Sequence, residues 1–307
     1  MDRRNLFARA AGLLAAGGMA AAGAPALAAR RSAGVTGLVV EAVQMPAWAS
    51  TGGSRRPIAP GDLVSTAEEV ETASAAALVL RMPEGSLVRL GEKTRLAVSR
   101  FEADSDAGRV AVRSQMELFE GFFRFTTSAV AKATGARDVD LKLRSATIGI
   151  RGTDFWSMTD AAHDATCLFE GKVDLATRDQ GALTLDKPTA FWARFFEQPV
   201  KPVGNATPDE LAKFLQSTEL RPGTGVAVVG GRWRVVAAAV AGAPAAADLL
   251  ARLRAAGYPA LTKTKDVKGR KLHEVRINGF ATQADAAAIL AKIAAVQGVE
   301  GRVALSA

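Results

Sequence analysis

The sequence predicts a multidomain chain: an all-β module, either a sandwich or a short stacked β-coil, followed by a smaller α+β module. Three observations carry this. Between residues 32 and 198, short alternating runs follow one another closely and glycine turns separate them. Between 199 and 228, prolines and glycines cluster. From 229 to 307 the chain reads as one strand–helix–strand unit used twice.

The first residues read as an address. Arg3-Arg4 precede an apolar run at 10–22, and Ala26-Leu27-Ala28 gives a small-x-small pattern. That order predicts a secretory signal peptide over 1–28, cut near Ala28/Ala29, and a periplasmic mature protein. Asp2-Arg3-Arg4-Asn5-Leu6-Phe7 also resembles a twin-arginine export signal, so two export routes fit. No later stretch reaches about 18 uninterrupted apolar residues, so the mature form is expected to lack a transmembrane helix. The single cysteine, Cys167, rules out an intramolecular disulfide.

Strand periodicity dominates the next segment. Runs at 35–43, 63–66, 77–82, 86–90, 95–99, 110–116 and 122–126 alternate apolar and polar residues. So do 139–143, 146–150, 153–158, 166–169, 172–176 and 183–185. A period of two is that of a strand with one buried face. Pro60-Gly61-Asp62, Pro83-Glu84-Gly85, Asp106-Ala107-Gly108, Glu120-Gly121 and Glu170-Gly171 mark turns. The run Thr147-Ile148-Gly149-Ile150-Arg151-Gly152-Thr153-Asp154-Phe155 is the signature of the segment. Together with Glu84-Gly85-Ser86-Leu87-Val88-Arg89-Leu90-Gly91 and Leu168-Phe169-Glu170-Gly171-Lys172-Val173, it resembles the periplasmic FecR-type domain over about 150 residues. In the best-known members that domain follows a cytoplasmic segment and a spanning helix, and relays a receptor signal to a sigma factor. The resemblance here implies the fold and the compartment, not transmembrane signalling. Within the signature, glycine admits backbone that a side chain would block. Arg151 has five donors with which to brace neighbouring carbonyls, or to meet a partner.

The stretch 199–228 has linker composition, with Thr207-Pro208-Asp209-Glu210 inside it as a capping box that starts a helix. Leu211, Phe214 and Leu215 give that helix an apolar side, expected to pack on the β-module.

In the repeat, Val235 and Val275 stand 40 positions apart, as do Leu249 and Ile289. Alternating strands at 233–237 and 273–277 each precede a helical stretch, with Leu249, Leu250, Leu253 and Ile289, Leu290, Ile293 on one stripe. Pro244 and Gly257 bracket the first helix, and Thr282-Gln283-Ala284-Asp285 resembles a capping box with Gly298 as the stop. Residues 258–262 and 299–305 complete the two units. The product is a ferredoxin/RNP-like domain (βαβ twice): one four-stranded sheet with two helices on one face. Trp233, Val235, Ala237, His273, Val275 and Ile277 point to the helices. Arg234, Val236, Ala238, Glu274, Arg276 and Asn278 point away.

The run Val275-Arg276-Ile277-Asn278-Gly279-Phe280-Ala281-Thr282 resembles the sporulation-related repeat (SPOR) family, whose members bind glycan strands of peptidoglycan stripped of their stem peptides. The first copy departs from the family pattern at Val236, where glutamine is common, and Glu274 stands where arginine is frequent. The resemblance implies a glycan site on the helix-free face, at Arg234, Val236, Glu274, Arg276 and Asn278, with peptidoglycan glycan strands as partner.

Charge agrees with an anionic partner. From residue 229 on, twelve lysines and arginines face five acids, which is +7 of the chain's formal +8. Nucleic acid is not expected, because RNA-reading modules of this layout stack bases on aromatics that these strands lack. No catalytic set is present: the two histidines lie in separate modules, and no nucleophile has an oriented base. His163 and Cys167 fall on one strand face but fall short of the three or four ligands of a zinc site. Glu68-Glu69, Asp104 and Asp106 fall in predicted turns. The reading is an exported, non-enzymatic cell-envelope protein without metal or cofactor, its β-domain a scaffold or interaction surface for envelope proteins. The alternative is a signal-relay or assembly adaptor whose tail binds protein rather than glycan.

Overall fold

The computed structural model describes residues 37–106, 109–134 and 137–306. The export signal read at 1–28 lies outside the described residues. Strands dominate and helices are few: an all-β part is followed by a C-terminal α+β part.

In the β part, one sheet runs Ser54–Pro57, Ala47–Thr51, Glu69–Thr72, Arg95–Asp106, Arg109–Thr126, Arg137–Lys142, Ala146–Ile150, Val173–Thr177, Gly181–Leu185. The other runs Gly37–Gln44, Ala77–Arg81, Leu87–Leu90, Arg109–Thr126, Asp154–Thr159, His163–Glu170, Ala190–Phe195, Gly204–Asn205. Alternation does what the pattern requires: Ala146, Ile148 and Ile150 are buried while Thr147 and Gly149 are half-exposed. Leu38, Val40, Phe123, Phe125 and Phe155 from one sheet join Val70, Leu96, Val98, Met116 and Ile148 from the other in a single apolar core.

Arg109–Thr126 belongs to both sheets. The sequence suggests a turn at Glu120-Gly121 between two strands; the structure has one strand that bends there. Gly121 takes φ +95°, and a Cβ on it would sit 2.3 Å from the Thr94 hydroxyl, so only glycine fits the crossing point. Three of the four acids expected in turns, Glu68, Glu69 and Asp104, prove to be paired. Asp104 lies within the strand Arg95–Asp106, 3.5 Å from Arg113, while Glu68 meets Arg56 at 3.0 Å and Glu69 meets Arg95 at 3.5 Å. Asp106 ends that same strand.

The helix Pro208–Gln216 forms its capping box on Thr207 and Glu210. Phe214 stacks on Trp156 with ring centroids 4.1 Å apart, and the Trp156 indole N–H donates to the Ser217 hydroxyl at 2.9 Å. This helix therefore covers the outer face of the β part, as its apolar side predicts.

The C-terminal part reads β1 (Trp233–Val240), α1 (Ala243–Ala255), β2 (Leu261–Val267), β3 (Arg270–Phe280), α2 (Gln283–Ile293) and β4 (Arg302–Leu305). The sheet order is β4-β1-β3-β2, all antiparallel. Leu249, Leu253, Ile289 and Ile293 bury the helix stripes on it. Pairing departs from the sequence expectation in two places. The strand expected at 258–262 begins at Leu261 and runs out with β3 as a hairpin, because lysine-rich 263–271 alternates well enough to extend it. A bulge in β1 at Ala237 reverses its parity, so Ala238 pairs with Val275 and joins the core instead of facing away.

The two parts share hydrogen-bonded backbone. Val226–Val228 pairs with Gly37–Gln44 on one side and, through Ala227 and Phe280, with β3 on the other. Asp285 fastens this joint. Its carboxylate, fully buried, accepts the N–H groups of Gly223 (2.8 Å), Gly225 (3.1 Å) and Val226 (2.9 Å) and the Thr282 hydroxyl (2.6 Å). Thr282 caps α2 as expected, but Asp285 reaches to the joint rather than back to the cap backbone. Lys292 donates to the carbonyls of Thr224 (2.9 Å) and Met45 (3.4 Å). Beyond α1, a Cβ on Gly257 would lie 2.5 Å from the Trp48 ring. These contacts run through the helix layer.

Candidate functional site on the helix-free sheet face

Cross-strand partners share a face. The register sets Ala304, Arg234 and Asn278 in one row, and Arg302, Val236, Arg276 and Leu261 in the next. Glu274, paired with Lys263, begins the row after that. All five residues singled out in the sequence thus lie on the side away from the helices.

They do not stand up freely into solvent. Val236 is 1% exposed, between Arg302 and Arg276. Arg234 is 9% exposed and Glu274 3%. Glu274 is held by cations: Lys265 at 3.0 Å, Arg302 at 3.5 Å and Arg276 at 4.0 Å. Lys265 and Arg302 escape sequence reasoning, because only the register brings them to Glu274. Arg234 Nε, Arg276 Nε and Asn278 Oδ1 are buried with no hydrogen-bond partner among the described residues. Each such atom costs about 1–3 kcal/mol relative to its satisfied state.

The β part offers structure rather than chemistry. Gly152 takes φ +75°, and its carbonyl lies 2.6 Å from where a Cβ on Gly171 would stand, which explains one glycine of the signature and the glycine of Glu170-Gly171. Thr153 N–H donates at 2.9 Å to the hydroxyl of Thr127, the residue just past the strand Arg109–Thr126. Among the described residues Arg151 braces no carbonyl: its side chain is 75% exposed and meets Asp174 at 3.4 Å. The bracing guanidinium is Arg124, whose Nε and Nη2 donate to both oxygens of Asp154 at 2.9 and 2.8 Å. Cys167 is buried, which pushes its thiol up to about 12, and His163 stacks on Phe195. Among the described residues no three His, Cys, Asp or Glu side chains are arranged to hold a metal ion. Nor is any described helix long and apolar enough to cross a membrane.

Comparison with known proteins matches family models described as FecR protein, over residues 68–196, and SPOR domain, over 229–303. Two crystal structures of a candidate anti-sigma factor from Parabacteroides distasonis ATCC 8503 are similar to the chain, each at a TM-score of 0.39. One is 16% identical, the match covering 48% of this chain and 64% of that one, so the chain spans less than two thirds of it. The other is 15% identical and covers 77% and 97%. No curated protein matches the chain. The chain therefore carries a FecR domain, at residues 68–196, followed by a SPOR domain, at residues 229–303.

Proposed function

We propose that the protein is an exported, non-enzymatic envelope component that holds glycan strands of peptidoglycan stripped of their stem peptides. SPOR domains bind peptidoglycan, and FecR and SPOR are binding and signalling families typical of the envelope. The order β4-β1-β3-β2 with both helices on one side fits the ferredoxin/RNP-like class. In this reading the signal peptide at 1–28 is removed near Ala28/Ala29 and the mature protein works in the periplasm. The FecR domain serves as its scaffold and as a surface for envelope proteins.

The observation that carries the reading is the composition of the helix-free face, where Arg234 and Asn278 stand in one row and Arg302, Val236 and Arg276 in the next. Sugar hydroxyls can accept from the terminal guanidinium nitrogens of such arginines. Val236 forms the apolar floor under the flanking arginines, and Glu274 sets the local charge. Ordinary hydrogen bonds contribute about 0.5–1.5 kcal/mol each, and micromolar binding needs about 8 kcal/mol, so several contacts must act at once. Sedimentation with purified sacculi tests this: retention should rise when an amidase removes stem peptides. No retention with or without amidase would favour an adaptor whose SPOR domain binds protein.

A further inference from the structure

We propose that the cleft between the two domains is a second subsite, which takes carboxylate-bearing sugars of the strand held on the sheet face. It rests on the glycan reading above. The cleft has a volume of about 1010 Å³ and takes its walls from both sides: Trp48, Arg55 and Arg56 on one, Arg254, Pro259 and Leu261 on the other. Its lining holds three arginines and Asp62, and of the three only Arg254 meets no carboxylate among the described residues. Arg56 is committed to Asp62 and Glu68, each at 3.0 Å. Arg55 lies with its guanidinium 4.0 Å over the Trp48 ring and reaches Glu71 at one nitrogen. Stacked on the indole, it is a flat cation whose outer side faces the cleft. Arg254 spends only Nε, on the Ala260 carbonyl at 2.9 Å, and meets no carboxylate among the described residues. Its two terminal nitrogens are left for a fork-like grip on a carboxylate.

The cleft lies at the β2 edge of the sheet, where the end of α1 brings Arg254 and Ala255 to it. Leu261 lines it and is the cross-strand partner of Arg276, one strand spacing away. A chain laid over Arg234 and Arg276 and carried across β2 passes into it. Its charge fits that chain, because removing a stem peptide frees the lactyl carboxylate to which it was attached. Stripped glycan is thus a regularly spaced polyanion with apolar ring faces. Arginines beside Pro259 and Leu261 offer both kinds of contact. Selectivity for stripped strands would then come partly from the FecR side.

The test uses the full mature chain and its R55Q/R254Q variant. Both arginines are solvent-accessible, and glutamine keeps most of their bulk. The probes are amidase-stripped strands and the same strands with carboxyls reduced to alcohols. The variant should bind native strands about tenfold more weakly with a shallower salt dependence, and wild type should fall to the same level on reduced strands. Equal binding of native strands by variant and wild type, with Arg276→Ala still losing them, would overturn the cleft and leave the sheet face standing. Failure of wild type to bind any strand would sink both. A loss seen on phosphatidylglycerol vesicles but not on strands would also overturn it, in favour of lipid phosphate.

Discussion

Two buried carboxylates sit on opposite sides of the same small sheet, and they are treated differently. Asp285, in the helix layer, is 0% exposed and receives three backbone N–H groups and a hydroxyl, all from short, fixed donors. Glu274, on the helix-free face, is 3% exposed and is faced by the ends of long cationic side chains, of which Arg302 is 63% and Lys265 38% exposed. Rigid donors fix a structure; flexible ones can let go. The helix side is therefore a weld between the domains, and the open side a face whose interactions can be exchanged for those of a ligand.

The largest effect should come from the weld. Asp285→Ala strands the N–H groups of Gly225 and Val226 in the interior and removes part of the α2 cap, which costs about 3–5 kcal/mol. Chemical denaturation should show the whole transition moving, since the FecR and SPOR cores form one apolar cluster. A SPOR-only transition would mean that the joint is not a weld. The acid limb follows from the same bonds. Burial alone would push the Asp285 carboxyl up, but the Thr282 hydroxyl and the N–H groups of Val226, Gly225 and Gly223 outweigh it and hold it below the usual range. A depressed native pKa gives stability that is full above the unfolded value, about 3.9, and lost as pH falls through the native one. The gap between wild type and Asp285→Asn should stay constant above about pH 5 and close only in stronger acid. Gly257→Ala comes next, at about 2–4 kcal/mol, combining a positive φ with overlap on Trp48.

The contrast also marks how far the sequence could be read. Residues 233–305 disclose their two units through periodicity, and the signature around Gly152 discloses its turn, because both are local. Thr207 and Glu210 form the box that their spacing announces. What escapes is pairing. The Ala237 bulge leaves the apolar pattern of β1 looking regular, yet it sends Ala238 to the core. Lys265 and Arg302 lie 9 and 28 positions from Glu274, and nothing in their neighbourhood points to it. The weld is hidden for the same reason, since Asp285 looks like an ordinary capping residue until residues 223–226 fold against it.

Glu274→Gln probes the other side. Its two nearest cation partners, Lys265 and Arg302, are exposed and can return to water, and Arg276 stands off at 4.0 Å, so stability should change by no more than about 1 kcal/mol. Affinity for stripped strands should rise roughly fivefold, close to 1 kcal/mol, as the face loses its negative centre. A loss of 3 kcal/mol or more in the melting experiment would class Glu274 with Asp285 and abolish the distinction.

Arg302→Ala should be the smallest and the most discriminating. An ion pair with one partner 63% exposed contributes about 0–1 kcal/mol, so the unfolding midpoint should barely move. The variant nonetheless removes a cation from the row that contains Val236 and Arg276. Binding of stripped strands should weaken about two- to threefold, with a shallower dependence on salt, because one fewer charge meets the polyanion. Stability and binding respond separately here, as they must if this face is held by replaceable contacts. Were both to fall together by similar energies, Arg302 would be part of the fold, and the helix-free side would be a second weld rather than a site.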